Sequence, residues 1–454
     1  MQQTPTGPAL DAQDESLRAR VIGKLNKRII TFAFICFIIN YLDRVNVGIA
    51  ALHMNADLGL TSYMFGLGSG IFFIGYLAFE VPSNMMLHRF GPRIWIARIM
   101  ITWGIVSAAM AFTQGPTSFY ILRFLLGLAE AGFAPGILLY LTYWFPARER
   151  GRAAALFMTA TVVSIIIGSP LSSWLLDAAN GFLGLKGWQA MFVLEGLPAV
   201  ILGVITLRYL VNRPEEDTKW LTPEERTWLI AKLDQERQAG AASSRHDLAA
   251  MFRDPRVWLL TIVYMFNGIA VYGVIMWLPQ IVKQLGNLTT VQTGFISAIP
   301  FIFAGIGLIV VARHSDRTGE RKFHTAMGGL VGGIFLALST YASTPLMGLV
   351  LLCICAFFLW SYMGVFWTLP PQFLQGSAAA GGIAAINGFA QLGGFTGPYL
   401  VGFVKDQTND FHMALLTLAI FPVVGSLLCM TLRTKRTDAA QTAENAAPAQ
   451  GASA

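Results

Sequence analysis

Charge is what this chain has least of. Only 13% of its 454 residues are Asp, Glu, Lys or Arg, against 55% hydrophobic, which leaves too little polar surface to dissolve it as one or two globular domains. Cysteine is equally scarce, and Cys36, Cys353, Cys355 and Cys429 all fall in apolar stretches. There a thiol behaves as a small buried hydrophobe, so neither a disulfide frame nor a metal centre is expected. The six histidines, His53, His88, His246, His314, His324 and His412, are scattered without metal-ligand spacing. With no catalytic cluster, no metal and no organic cofactor expected, an enzyme is set aside. A cleavable leader is not expected either, because the first apolar run is too long for an h-region and follows a largely polar stretch of 28 residues.

Long apolar runs are what the chain has in abundance. Crossing about 30 Å of hydrocarbon takes roughly 20 apolar residues. Twelve segments meet that demand: 29–51, 64–87, 94–113, 118–141, 152–176, 189–210, 257–281, 291–312, 323–342, 346–368, 379–404 and 411–432. A transmembrane barrel is excluded because the runs are continuous rather than alternating. The fold class predicted is an all-α membrane protein of twelve transmembrane helices in two six-helix bundles.

The net charge of +7 could point to nucleic acid, so the positions of the 32 Lys and Arg decide the matter. With residues 1–28 inside, the inner segments carry 26 of them, while Lys186, Lys283 and Lys405 lie outside and Arg44, Arg98 and Arg123 lie within spans. That bias places both termini in the cytoplasm of a multi-pass protein of the cell inner membrane. The lipid bilayer is then the partner, and no nucleic acid is required.

The organisation expected is a cytoplasmic tail (1–28), a first bundle (29–210), a cytoplasmic linker (211–256), a second bundle (257–433) and a disordered tail (434–454). Within the linker, Thr222-Pro223-Glu224-Glu225 reads as a capping box opening a short helix that tethers the halves. The loop after span two, His88-Arg89-Phe-Gly91-Pro-Arg93, aligns with the loop after span eight, Asp316-Arg317-Thr-Gly319-Glu-Arg321, at an offset of 228 residues. A repeat follows, each glycine allowing a tight turn between helices. A monomer is expected.

Four charges sit where lipid forbids them: Asp43 and Arg44 in span one, Arg123 and Glu130 in span four. An ionisable group at that depth costs at least about 2.5 to 3.5 kcal/mol and belongs to an ion, proton or substrate path. Asp43 lies roughly 21 Å along span one and Glu130 about 18 Å along span four, at 1.5 Å per residue, so the four can converge. Burial favours a protonated carboxyl, suiting Asp43 and Glu130 to carrying protons. Arginine stays charged and presents a planar fork that fits a carboxylate, suiting Arg44 and Arg123 to binding an organic anion. Glu80 with Arg98 reads as a gate or structural pair, and Glu195 and Arg148-Glu149-Arg150 as structural anchors.

The paired loops and twelve spans resemble the major facilitator superfamily across nearly the whole chain. Within it, Tyr41-Leu-Asp43-Arg44-Val-Asn46-Val-Gly48, Phe79-Glu80-Val-Pro82-Ser83-Asn84, Arg123-Phe-Leu-Leu-Gly127-Leu-Ala-Glu130-Ala-Gly132-Phe and Tyr143-Trp-Phe-Pro146 are similar to the anion:cation symporter family. The resemblance is to bacterial carriers of tartrate, phthalate, hydroxyphenylacetate and nicotinate type acids. It implies H⁺ as coupling ion and a small organic carboxylate as substrate, with Asp43 and Glu130 coupling and Arg44 and Arg123 holding the anion. His88 departs from the family, which places Asp there, and so puts the first loop's charge relay in doubt.

Spans seven to twelve contain no Asp, Glu, Lys or Arg. They offer Tyr264, Asn267, Tyr272, Trp360, Trp367, Asn387 and Gln391 to the neutral end of a substrate. The resemblance singles out Trp367 and Asn387; Tyr41 and Tyr76 join them from the first half. In span five, Gly168-Ser169-Pro170 is only a fragment of an antiporter pattern, which favours symport. An organic anion exchanger and a transporter-like sensor remain open alternatives, and the identity of the carboxylate is not encoded in these residues.

Overall fold

The structure, a computed structural model, describes residues 8–241, 253–374 and 376–432; the expected disordered tail, 434–454, lies outside them. Among the described residues every regular element is helical. In chain order the α-helices are α1 (Pro8–Leu25), α2 (Thr31–Leu58), α3 (Ser62–Phe90), α4 (Pro92–Ala109), α5 (Pro116–Glu130), α6 (Phe133–Trp144), α7 (Ala147–Met158), α8 (Ala160–Ala178), α9 (Gly187–Tyr209), α10 (Pro223–Ala241), α11 (Pro255–Gln284), α12 (Thr290–Thr318), α13 (Lys322–Ser339), α14 (Pro345–Phe366), α15 (Gly376–Thr408) and α16 (Phe411–Met430). A π-helical turn, Asn26–Ile30, joins α1 to α2.

Nine helical stretches among the described residues are long and apolar enough to cross a membrane. The other three expected spans fall on α2, α13 and α15. Their composition explains the lower hydropathy: α2 carries Asp43, Arg44 and three asparagines, α13 begins at Lys322, and α15 is rich in Gly and Ala.

The chain forms two compact units. Unit 1 comprises Met1–Ser243 with Ile275–Ile299 and Gly402–Gln407; unit 2 comprises Ser244–Val274, Pro300–Val401 and Thr408–Ala454. In unit 1, α2 is buried on every face from Asn40 to Ala51. An enclosed helix of this kind can hold polar side chains only where neighbours supply partners. Helices α3 and α5 cross at glycines: a Cβ on Gly75 would lie 2.3 Å from the Phe124 carbonyl oxygen, and one on Gly127 2.0 Å from that of Phe72. Gly127→Ala is therefore expected to destabilise unit 1 by about 1 to 3 kcal/mol through overpacking. A fall in the thermal unfolding midpoint in detergent would show it; an unchanged midpoint would mean that the crossing is loose.

The linker helix α10 opens on the expected capping box, with Thr222 N donating to Glu225 Oε2 at 2.8 Å and Glu225 N to Thr222 Oγ1 at 3.3 Å. It is not a free tether. Lys24 pairs with Glu225 at 2.7 Å, Trp228 Nε1 donates to Asp14 at 2.5 Å, and Arg150 reaches Glu236 at 3.4 Å, so α10 is packed on α1 and the start of α7. Those contacts hold α10 against unit 1 rather than leaving it in solvent, as the tether reading assumed.

In unit 2, α13 presents Gly328, Gly329, Gly332 and Gly333 as buried contacts, and these lie against α14 and α16. The aligned loops share a backbone. Gly91 has φ +83° and Gly319 φ +67°, a region glycine enters without steric cost, and each amide closes its helix, onto Leu87 and Ser315 respectively. Their side chains differ. Arg321 pairs with Asp316 at 2.5 Å, whereas His88 Nδ1 meets Tyr143 Oη at 3.0 Å, so the first loop has a histidine–tyrosine contact where the second has an ion pair.

Candidate functional site

Successive helical residues point about 100° apart, so Asp43 and Arg44 leave α2 in different directions. Arg44 turns toward α5, where its Nε donates to Glu130 Oε2 at 3.0 Å; the two side chains are 9% and 0% exposed. Asn40, one turn earlier on the same face, donates to the same oxygen at 3.1 Å. Glu130 Oε1 has no hydrogen-bond partner among the described residues. The Arg44 guanidinium also lies over Tyr76, Phe72 and Tyr41, at 4.9, 5.3 and 5.7 Å from the ring centroids.

Arg123 is placed differently. Its side chain is fully buried, sits 4.9 Å from the Phe72 centroid and makes one long hydrogen bond, from Nη2 to the Ser69 carbonyl at 3.4 Å. Its Nε has no partner, and none of the ion pairs among the described residues includes it. Phe72 thus has two arginines close to its ring, Arg44 in an ion pair with Glu130 and Arg123 in none among the described residues.

Asp43 faces α4. It accepts from Ser107 Oγ at 2.7 Å, from Trp103 Nε1 and from Asn46 Nδ2 at 3.2 Å. The structure therefore gathers Tyr41, Arg44, Tyr76, Arg123 and Glu130 around Phe72 and sets Asp43 on a neighbouring face. Trp367 and Asn387 belong to unit 2. Trp367 follows α14 directly and packs 4.9 Å from Tyr264, while Asn387 is half-buried in α15.

The span holding Glu130 is broken immediately after it. Ala131 is extended (φ −54°, ψ 130°), Gly132 has φ +87°, and α6 restarts at Phe133. Broken helices are the usual way to expose polar backbone beside a buried binding site. The continuous run 118–141 hid this interruption, since hydropathy does not register a change of backbone direction.

Several contributors went unnoticed in the sequence: Asn40, Asn46, Trp103, Ser107 and Phe72. The asparagines carried a signal, because Asn40 with Arg44 and Asp43 with Asn46 have the spacings that share a helix face. Arg98, expected to pair with Glu80, instead lies 4.1 Å from the Trp95 centroid and donates to Thr102 Oγ1 at 3.4 Å. Glu195 is no anchor to a cation: it accepts from Asn46 Nδ2 at 2.8 Å and Ser172 Oγ at 2.7 Å.

At the far ends of α2, α8 and α9 a polar cavity of about 350 Å³ is lined by His53, Asp57, Asp177, Asn180 and Lys186, among others. Lys186 pairs with Asp57 at 2.8 Å and Trp188 Nε1 donates to it at 2.7 Å. The Lys186 ammonium holds the Asp57 carboxyl below the ordinary carboxylate range.

Residues 33–398 match the Major Facilitator Superfamily. The chain belongs to that superfamily. It is a membrane transporter, not an enzyme. Among its relatives, this facilitator is 48% identical over 426 residues to a protein of Agrobacterium vitis named as a tartrate transporter, covering 94% of each chain. It is 42% identical over 410 residues to a quinolone resistance transporter of Acinetobacter baumannii, covering 90% of this chain and 94% of the relative. In fold, the facilitator is similar to a bacterial homologue of the human lysosomal transporter Spinster in an inward-facing, unoccupied conformation. The TM-score is 0.75 at 15% identity, covering 89% of this chain and 96% of that one.

Proposed function

We propose that this facilitator imports a small organic anion, a mono- or dicarboxylate, together with protons. In this reading it is a monomer with twelve spans and both termini in the cytoplasm, lies in the cell inner membrane, and works by alternating access. The observation that carries the reading is Arg123, a buried guanidinium with no carboxylate in ion-pair contact among the described residues. A cation left so in a low-dielectric interior attracts an anion strongly, and the planar fork selects a carboxylate. Arg44 supplies the link to protons. While Glu130 is ionised it occupies Arg44; once protonated it releases Arg44, so two arginines face the substrate together. Proton and anion then favour each other's binding. Two cations suit a dicarboxylate, and the relative named for tartrate supports that class.

The test is uptake of radiolabelled tartrate and a panel of mono- and dicarboxylates into proteoliposomes, with and without an imposed inward proton gradient. Accumulation of at least one acid driven by the gradient is expected. Uptake that ignores the gradient but requires an internal anion would instead establish an exchanger, and binding without uptake a sensor.

The quinolone relative favours a second reading, export of an aromatic acid whose carboxylate would meet the same arginine. Inside-out vesicles with norfloxacin added to the medium separate the two: drug accumulation in the lumen driven by the proton gradient, with no acid accumulated by right-side-out proteoliposomes, would replace import by efflux.

A further inference from the structure

We propose that Asp43 and Glu195 form a second proton site, with no arginine in ion-pair contact among the described residues, in which two carboxyl groups bridged by Asn46 hold one proton between them. This deepens the proton-coupling reading above and rests on it, adding Glu195 of α9 to the coupling residues.

One atom makes the bridge. Asn46 Nδ2 donates to Asp43 Oδ1 at 3.2 Å and to Glu195 Oε2 at 2.8 Å. Asp43 is 1% exposed and Glu195 6%. Hydroxyls complete both ends, Ser107 on Asp43 Oδ1 and Ser172 on Glu195 Oε1, each at 2.7 Å, with the Trp103 indole on the second Asp43 oxygen. Neither carboxyl has a cation in ion-pair contact among the described residues. The elements packed around them bring no closer one: α4 supplies Trp103 and Ser107, and α8 supplies Ser172. From α5 come Glu130, a further negative neighbour of Asp43, and Arg123, whose charge acts on Glu130 first and on Asp43 as well, without ion-pair contact to either among the described residues. Arg44 of α2 is engaged by Glu130.

Two ionised carboxylates sharing one amide in a buried setting repel each other with little screening, and a shared proton removes that repulsion. Asn46 shows where the proton belongs. Its amide has two N–H groups, both used, while its buried Oδ1 has no partner. A carbonyl oxygen needs a donor, and a protonated Asp43 or Glu195 is the O–H donor within reach once the amide turns over. The same side chain thus serves both states of the pair, donating to carboxylates and accepting from an acid. Serine hydroxyls adapt in the same way by rotation.

The arrangement also differs in kind from Arg44 with Glu130. There a cation in ion-pair contact competes with the proton for the carboxylate; among the described residues neither Asp43 nor Glu195 has one.

The experiment uses full-length protein in lipid and compares wild type with E195Q, D43N and E130Q. Infrared difference spectra from acidic to alkaline pH read the C=O stretch of protonated carboxyl groups, and tartrate uptake under an imposed proton gradient reads coupling. Glutamine keeps an oxygen for Ser172, so a merely structural Glu195 would leave the titration of the other groups unmoved. Expected is the loss of one titrating carboxyl in E195Q with a displaced titration for the one that remains, the reciprocal change in D43N, and retention of this component in E130Q. Where a coupled proton is lost, accumulation falls by about tenfold per pH unit of gradient. A titration in E195Q superimposable on wild type, or an undiminished accumulation ratio, overturns the proposal. Should wild type prove indifferent to the gradient, the coupling reading fails, and the infrared comparison separately decides whether the pair shares a proton.

Discussion

Arg123→Ala is expected to abolish carboxylate binding in practice. Removing one member of a buried, hydrogen-bonded charge pair costs about 2 to 5 kcal/mol, which is roughly 30-fold to several thousand-fold in affinity. The upper part of that range applies because Arg123 is fully buried beside Phe72 and, among the described residues, hydrogen-bonds to the Ser69 carbonyl alone. Arg123→Lys is the sharper variant: it keeps the charge, loses the fork, and is expected to retain weak binding with poorer discrimination between carboxylates and other anions. Calorimetric titration of the purified protein with tartrate and other acids measures both. Equal affinity in wild type and Arg123→Ala would remove Arg123 from the binding site and leave Arg44 as the receptor.

Glu130→Gln is expected to eliminate uphill accumulation while leaving exchange of labelled for unlabelled substrate intact. The amide oxygen still accepts from Arg44 and Asn40, now found at 3.0 and 3.1 Å from Glu130 Oε2, so the contact geometry survives while the negative charge and the titration are lost. Arg44 then has a neutral amide in place of the Glu130 carboxylate at every pH. In wild type, acid should tighten anion binding by freeing Arg44; in the variant that dependence should vanish, with affinity staying at the acid-side value. A pH series of binding isotherms beside the two transport assays tests this. An unaltered pH dependence would show that the Arg44 ion pair is a static lock between α2 and α5. Asp43→Asn should likewise lose accumulation, through the second site rather than through Arg44.

Why parts of this were readable and parts were not follows from particular residues. The glycines of the paired loops were legible because a turn between two helices is a local event, and both adopt positive φ. The capping box at Thr222 was legible for the same reason. The destination of α10 was not, since docking on α1 depends on Lys24 and Asp14 some 200 residues away. The partners of Glu195 were not legible, because nothing near it in the chain reveals that Asn46, 149 positions earlier, donates to it.

By itself, the sequence determined that this is a helical membrane protein and which spans carry buried charge. Hydropathy is additive along the chain, and an ionisable group in an apolar run is conspicuous wherever it points. Only the tertiary structure decided the pairings: Arg44 with Glu130, Asp43 with Asn46 and through it Glu195, and Arg123 in no ion pair among the described residues. The rotation and crossing of packed helices select one neighbour among several for each side chain, and adjacent residues such as Asp43 and Arg44 are sent about 100° apart to different partners.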